Sequence, residues 1–156
     1  KLDELMTVLE EINGKAIIWA NYIHNIEQIA EAIRKEYGKD SVVTMYGATD
    51  VEDRKNVVDL FQNDPNTKFF IGNPTVGGYG LTLHAASYVI YFSNNYNLEV
   101  RLQSEDRAHR IGQTKNVLYI DIIAEDTVDE KIVSALDKKL SLSAKTLGEE
   151  IKTWLN

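Results

Sequence analysis

Apolar residues in this chain recur with two periods, and the alternation between them sets the expected architecture. Leu2, Leu5, Leu9 and Ile12 are spaced as one face of a helix, which Asn13-Gly14 ends. Lys15-Ala16-Ile17-Ile18-Trp19-Ala20 is then almost continuously apolar, the pattern of a strand buried on both faces inside a parallel sheet. Helical spacing returns over about 23–37 through Ile23, Ile26, Ala30, Ile33 and Tyr37. A strand over 41–45, a helix over 50–62 with Val57 and Phe61 inward, and the turn cluster Asn63-Asp64-Pro65-Asn66 follow. Residues 68–72 and 88–92 read as strands, and a helix is predicted over about 98–110. Residues 117–123 read as the last strand, apolar but for Asp121. From Thr127 onward the pattern is purely helical, with one stripe through Val128, Ile132, Leu136 and Leu140 and a second through Leu147, Ile151 and Leu155. Asp126 or Thr127 caps it, Glu130 completing a capping box with Thr127.

Strands alternating with helices in this way predict an α/β fold, a mainly parallel sheet flanked by helices, with further helices at the C-terminus. Ligands of such sheets bind at the carboxyl ends of the strands. The loops there, over 20–25, 46–50 and 73–82, and the helix over 98–110 gather the candidate chemistry on one edge.

The size, 156 residues, is that of one domain with a proper core. No run of 18 apolar residues is present, so no membrane partner is expected. Lys1-Leu2-Asp3-Glu4-Leu5 reads as a helix under way rather than a signal peptide, as expected of a piece of a longer protein. The chain contains no cysteine, which excludes disulfides and thiolate zinc sites. His24, His84 and His109 lack ligand spacing, so no metal site is assigned to them.

The net charge of -7 argues against nucleic acid binding over the whole surface. Its distribution changes that picture. Between Thr67 and Leu118, Lys68, Arg101, Arg107, Arg110 and Lys115 face only Glu99, Glu105 and Asp106, a weakly basic strip that permits contact with backbone phosphates.

Within that strip lies Gln103-Ser104-Glu105-Asp106-Arg107-Ala108-His109-Arg110-Ile111-Gly112-Gln113. On a helix, Gln103, Arg107 and Arg110 stand at i, i+4 and i+7, on one face that carries no carboxylate. Two guanidiniums and an amide there suit an anion such as phosphate. The plainer reading is a solvated helix face beside Glu105 and Asp106. Thr75-Val76-Gly77-Gly78-Tyr79-Gly80-Leu81-Thr82 follows a strand, and its glycines let backbone N–H groups approach a phosphate or a nucleic-acid backbone, although tight turns use glycine too. No Gly-Lys-Ser/Thr follows, so this is not a Walker A loop. Tyr46-Gly47-Ala48-Thr49-Asp50 enters a helix with Arg54 one turn in. Anion binding at that N-terminus competes with simple capping by Thr49 or Asp50.

These pieces, in this order, resemble the second RecA-like lobe of superfamily-two helicases, specifically the Swi/Snf-type ATPases. Residues 16–25 resemble motif IV, 46–61 the Gly-Ser/Ala…Arg…Phe block, 75–86 motif V and 126–132 the opening of the C-terminal helix. Residues 103–113 match motif VI of this branch almost residue for residue. The chain departs from the family at Thr82, where Asn is common, and at Ser93-Asn94-Asn95-Tyr96-Asn97-Leu98, where Asp-x-x-Trp-Asn-Pro is usual. Tyr96 can take the aromatic role of the Trp.

The resemblance implies a RecA-like, P-loop NTPase-type lobe over 1–125 and brace-like helices over 126–156. It implies ATP with Mg2+ in a cleft between two lobes, held mainly by a first lobe that this chain does not contain. Arg107 and Arg110 would act as arginine fingers, with Gln103 beside them. Gly78 and Gly80 would approach the nucleotide, while Asn21, Tyr22, Gly47, Arg54, Thr75, Val76 and Gly77 would line the track for one strand of double-stranded DNA. Such a motor would work in the cytoplasm of a bacterium or of a virus's host, or in the nucleus of a eukaryote, and the compact spacing of motifs V and VI favours a small bacterial or viral member. The alternatives are a protein-interaction lobe without motor activity and an RNA helicase lobe, the latter disfavoured by the His-Arg-Ile-Gly-Gln ending of motif VI.

Overall fold

The computed structural model describes residues 1–47, 49–75, 80–109 and 112–155, the last of these by backbone alone from 143 onward. Five strands form one sheet: β1 (Lys15–Trp19), β2 (Val42–Met45), β3 (Phe69–Gly72), β4 (Ala86–Tyr91) and β5 (Leu118–Asp121). Their order is β2-β3-β1-β4-β5, and every neighbouring pair is parallel. The helices are α1 (Leu2–Glu11), α2 (Ile23–Tyr37), α3 (Val51–Asn63), α4 (Leu98–Glu105) and α5 (Val128–Leu155).

The continuous apolar runs are explained by a core on each face of the sheet. Successive strand residues point to opposite sides. Ala16 and Ile18, with Phe69, Ile71 and Ile90, therefore meet Leu5 and Leu9 of α1 and Ile26, Ile29 and Ile33 of α2. Ile17 and Trp19, with Phe70, Val89 and Tyr91, meet Phe61 of α3, Leu83 and Ala108 on the other side. Lys15, at the start of β1, caps the end of α3 by donating through Nζ to Phe61 O and, at 2.7 Å, to Asp64 O. Such caps satisfy carbonyls that a helix end leaves open.

Two predicted helices differ from expectation. The helix expected to reach residue 110 stops at Glu105. Arg107 N turns to Ser104 O at 3.4 Å and Ala108 N to Glu105 O at 3.3 Å, tightening the last turn, while Leu83 N donates to Arg107 O at 2.9 Å. The C-terminal segment, expected as more than one helix, is a single helix of 28 residues. No proline interrupts it, and one glycine, Gly148, costs a helix only about 1 kcal/mol.

The start of α5 is also capped differently from the expected box. Thr127 Oγ1 accepts from Asp129 N at 3.2 Å and donates to Ala124 O at 2.6 Å. The carboxylate that reaches back belongs to Asp129, not Glu130, and accepts from Ala124 N at 3.1 Å. Lys1 pairs with the same carboxylate and donates to Phe92 O at 2.7 Å, joining the N-terminus to the start of α5 and to the residue after β4.

One side chain ties α4 to the sheet. Arg101 grips Asp121 of β5 with two bonds, Nη1 to Oδ1 at 2.6 Å and Nη2 to Oδ2 at 3.1 Å. Its Nε donates to Glu105 Oε1 at 2.8 Å, Nη1 reaches Asn94 Oδ1 at 2.8 Å, and the guanidinium lies 3.4 Å from the centre of the Tyr91 ring. Asn94 Nδ2 closes the circuit on Asp121 Oδ1 at 2.9 Å. Beneath it, the Tyr91 hydroxyl and Ser104 Oγ lie 2.7 Å apart, and Ser104 Oγ donates to Arg101 O at 2.7 Å.

Replacing Arg101 by Met should therefore strand Asp121 and Glu105. We expect a loss of about 2–3 kcal/mol, below the full cost of breaking a buried pair because the carboxylates are partly exposed. Urea unfolding reads it, and a loss of about 0.5 kcal/mol or less would mean an ordinary surface pair. Burial also pushes the Tyr91 phenol well above its ordinary 10.0, the nearby Arg101 opposing this only in part. The folded state keeps that proton while the unfolded chain releases it, so the contribution is whole below pH 10.0 and is lost as pH rises beyond. Urea midpoints should fall above that pH, and fall less steeply in Tyr91→Phe.

Candidate site at the carboxyl edge of the sheet

The carboxyl ends of β1, β3 and β4 are stitched together by short polar side chains. Asn21 N donates to Ser93 Oγ at 2.8 Å, and Asn73 Nδ2 donates to Asn21 O at 3.0 Å. Asn73 Oδ1 accepts both Thr75 N at 2.9 Å and Thr75 Oγ1 at 2.6 Å. The structure thus brings Asn21 and Thr75, both predicted site residues, onto one connected edge. Tyr22 is the residue before α2 and is 67% exposed, so its ring is open to a partner.

Gly47 and Arg54 form a second group, after β2. Tyr46 N donates to Thr49 Oγ1 at 3.1 Å and Asp50 Oδ1 accepts Val51 N at 2.7 Å, so Asp50 caps α3. Arg54 donates through Nε to Thr49 O at 2.9 Å and through Nη2 to Gly47 O at 3.3 Å. Part of its guanidinium is engaged in shaping the loop. The capping reading of this segment therefore holds for Asp50, and Arg54 holds Gly47 in place.

A cleft of about 600 Å³ lies beside the second group, lined by Val51, Arg54, Lys55, Val58, Gly80, Leu81 and Thr82. Gly80 is exposed and has φ +71°, a left-handed conformation that glycine adopts without strain. Arg54 and Gly80, predicted for different ligands, thus border one cavity. Val76, Gly77 and Gly78 lie outside the described residues.

Of the three predicted catalytic residues, Gln103 and Arg107 are described. With α4 ending at Glu105, Gln103 is on the helix and Arg107 is beyond it. Gln103 is exposed, and its Nε2 donates to Glu99 Oε1 at 3.3 Å, so a carboxylate does stand beside it, contrary to the expectation from spacing. Arg107 is 6% exposed and is the only charged residue in the buried class among the described residues. Arg110 lies outside the described residues.

The structure also reveals a fastening that spacing did not. Gln113 Nε2 lies within hydrogen-bond distance of three carbonyls, His84 O at 2.8 Å, Ala86 O at 3.0 Å and Ala108 O at 3.0 Å. From α3, Gln62 Oε1 accepts Ala85 N at 2.8 Å, and Gln62 Nε2 stands 3.2 Å from the His84 ring nitrogens. Neutral amides bonded to backbone leave no periodic trace. For Arg101 a signal existed, the lone charge of Asp121 in an apolar strand.

The donor set at this edge is amides, hydroxyls and guanidiniums. Among the described residues no group of His, Asp and Glu is placed to hold a metal ion. Amides, hydroxyls and guanidiniums are groups chemically suited to phosphate oxygens.

Comparison with known proteins agrees with this geometry. Residues 1–112 match the model of the helicase conserved C-terminal domain. The ATP-dependent helicase fft2 of Schizosaccharomyces pombe is 31% identical over 90% of this chain and 11% of its own length. The Arabidopsis thaliana protein CHROMATIN REMODELING 19 is 33% identical over 94% of this chain and 19% of its own length. This chain thus spans a fifth or less of each of these relatives. Among solved structures, that of the C-terminal part of the Fun30 ATPase domain superposes with a TM-score of 0.78 at 31% identity, over 86% of this chain and 44% of that one. Fold, motif order and these matches lead to one conclusion: the chain belongs to the helicase conserved C-terminal domain family, in the Swi/Snf-type ATPase branch.

Proposed function

We propose that this chain is the second motor lobe of an ATP-driven DNA translocase or remodelling enzyme. The observation that carries the reading is the concentration of phosphate-compatible groups on one sheet edge, followed directly by the segment from Gln103 to Gln113. The names of the relatives, an ATP-dependent helicase and a chromatin-remodelling protein, support ATP and chromatin as the setting. Their eukaryotic sources favour the nucleus over the bacterial or viral setting that the compact spacing suggested.

In this reading ATP and Mg2+ are held mainly by the first lobe, and the bound metal supplies charge to the phosphates. This lobe supplies Arg107 and Arg110 to the terminal phosphate, with Gln103 beside them. A guanidinium entering a site closed to water stabilises the charge that spreads over the transferring group, an effect on the order of 10³–10⁵ in rate. Gly78 and Gly80 approach the nucleotide. Asn21, Tyr22, Gly47, Arg54, Thr75, Val76 and Gly77 follow one strand of duplex DNA, and their polar contacts to phosphate carry no sequence preference. The body of the lobe, residues 1–125, and the helix after it, 126–156, then act as motor and brace. The link between α5 and the loop before α4, Lys139 Nζ to Tyr96 O at 2.6 Å, supports that division.

One observation favours a second reading, a protein-interaction lobe without motor activity: the burial of Arg107, which leaves it little surface for a ligand. ATP hydrolysis by the full-length parent, compared with duplex DNA, single-stranded DNA and RNA, separates the two. The motor reading expects stimulation by duplex DNA that Arg107→Ala or Arg110→Ala lowers by roughly 10³-fold or more with the fold intact. No hydrolysis under any condition leaves the interaction lobe, and stimulation by RNA alone leaves an RNA helicase. Purified residues 1–156 should hydrolyse no ATP. Turnover above that of an Arg107→Ala, Arg110→Ala double variant would contradict the division of labour.

A further inference from the structure

We infer that Gln113 is the positioning residue of the arginine segment, holding the backbone that carries Arg107 against the strand-entry segment 83–86. The inference rests on the motor reading above. It adds a residue whose side chain faces this lobe's own backbone and is assigned no contact with nucleotide or DNA.

The geometry is that of a clamp. After α4 the chain runs on as a tightened turn, with Ala108 N and His109 N both donating to Glu105 O, and a backbone bond ties it to the body of the lobe. Arg107 O accepts from Leu83 N at 2.9 Å. One residue on, Ala108 is fully buried, and its carbonyl is met by Gln113 Nε2 at 3.0 Å. The same amide nitrogen reaches His84 O and Ala86 O, at 2.8 and 3.0 Å. Its oxygen is used as well, accepting Lys115 N at 3.0 Å. One neutral amide thus joins both ends of the segment 108–113 to each other and to the start of β4.

Its neighbours are fitted to that role. Gly112 has φ +100°, and a Cβ there would stand 3.6 Å from the His84 ring, so the turn before Gln113 packs directly on His84. On its far side, His84 faces Gln62 of α3 at 3.2 Å. A chain of contacts therefore runs from α3, which also bears Arg54, through residues 84–86 to the backbone beside Arg107. A guanidinium on a long side chain serves a transition state only if its backbone is fixed, because a displacement of about 1 Å can cost roughly 10²-fold in rate.

The test uses the full-length parent protein. Gln113→Glu keeps size and the acceptor for Lys115 N but turns a carboxylate oxygen toward three carbonyls. Gln113→Met removes donor and acceptor without adding charge. Both should lower kcat for DNA-stimulated ATP hydrolysis per folded molecule, by roughly 10²-fold for Gln113→Glu, with KM for ATP close to that of the unaltered protein. In the Gln113→Glu background, Arg107→Ala should cost less than it does alone, because a misplaced arginine has less to lose.

Three results overturn the inference. In the first, both variants keep kcat within about twofold while Arg107→Ala abolishes turnover. In the second, turnover falls only in step with the folded fraction in both variants. In the third, KM rises with kcat unchanged, which assigns Gln113 to binding. If Arg107→Ala itself leaves turnover intact, the finger reading of Arg107 has failed, and the clamp has no arginine to serve.

Discussion

The grip of Arg101 on Asp121 is the interaction on which the arrangement of the edge depends. A parallel sheet delivers every strand to the same side, but it does not fix where the chain goes after leaving β4. Arg101 does that by spanning α4, β5 and the loop at Asn94 with one rigid fork of donors, laid flat on the Tyr91 ring. Lysine has neither the planar fork nor the stacking face, so it cannot replace these contacts together. Because β5 is an edge strand, its hold on the sheet comes from β4 on one side, and the ion pair adds a second tie through α4.

From that anchor outward, the placement of charge follows a consistent logic. The groups that keep α4 in register, Arg101, Asp121, Glu105 and Ser104, are satisfied by one another within the lobe. Beyond Glu105 the side chains stop holding the helix, and the backbone is held instead, by Leu83 and Gln113. Neutral side chains do the same at Asn73, Ser93 and Asn94, fixing loops without adding charge to a surface that would face phosphate. The residues at 93–95, which depart from the usual acidic pattern of the family, thus still tie β4 to its neighbours through Ser93 and Asn94.

Much of the fold was legible because burial on both faces of a parallel sheet writes itself as continuous apolar runs. All five strands fall where such runs were read, each within two residues, and α1, α2 and α3 follow their stripes. What was not legible was the end of α4. Asp106, Arg107 and Ala108 are all compatible with helix, and the bond that ties this turn to the lobe comes from Leu83, more than twenty residues earlier. The expectation of one face for Gln103, Arg107 and Arg110 rested on that helix continuing, and Arg110 lies outside the described residues. Glu99 beside Gln103 was in the sequence and was overlooked because it lies one turn before the motif. Gln62 left no signal, and Gln113 was legible as the end of the motif but not in its bonding, since an amide bonded to backbone carbonyls has no spacing to recognise. The capping of α5 shows the same limit in small, Thr127 being read correctly and its carboxylate partner misplaced by one residue.

The claim at the centre of the account is that this lobe contributes guanidinium to a phosphate held by another. The most direct measurement is a structure of the full-length parent with duplex DNA and a transition-state analogue of ATP. The account predicts guanidinium nitrogens of Arg107 or Arg110 about 2.7–2.9 Å from the oxygens of the transferring group. Both arginines turned into this lobe, with a first-lobe residue in their place at the phosphate, would contradict it.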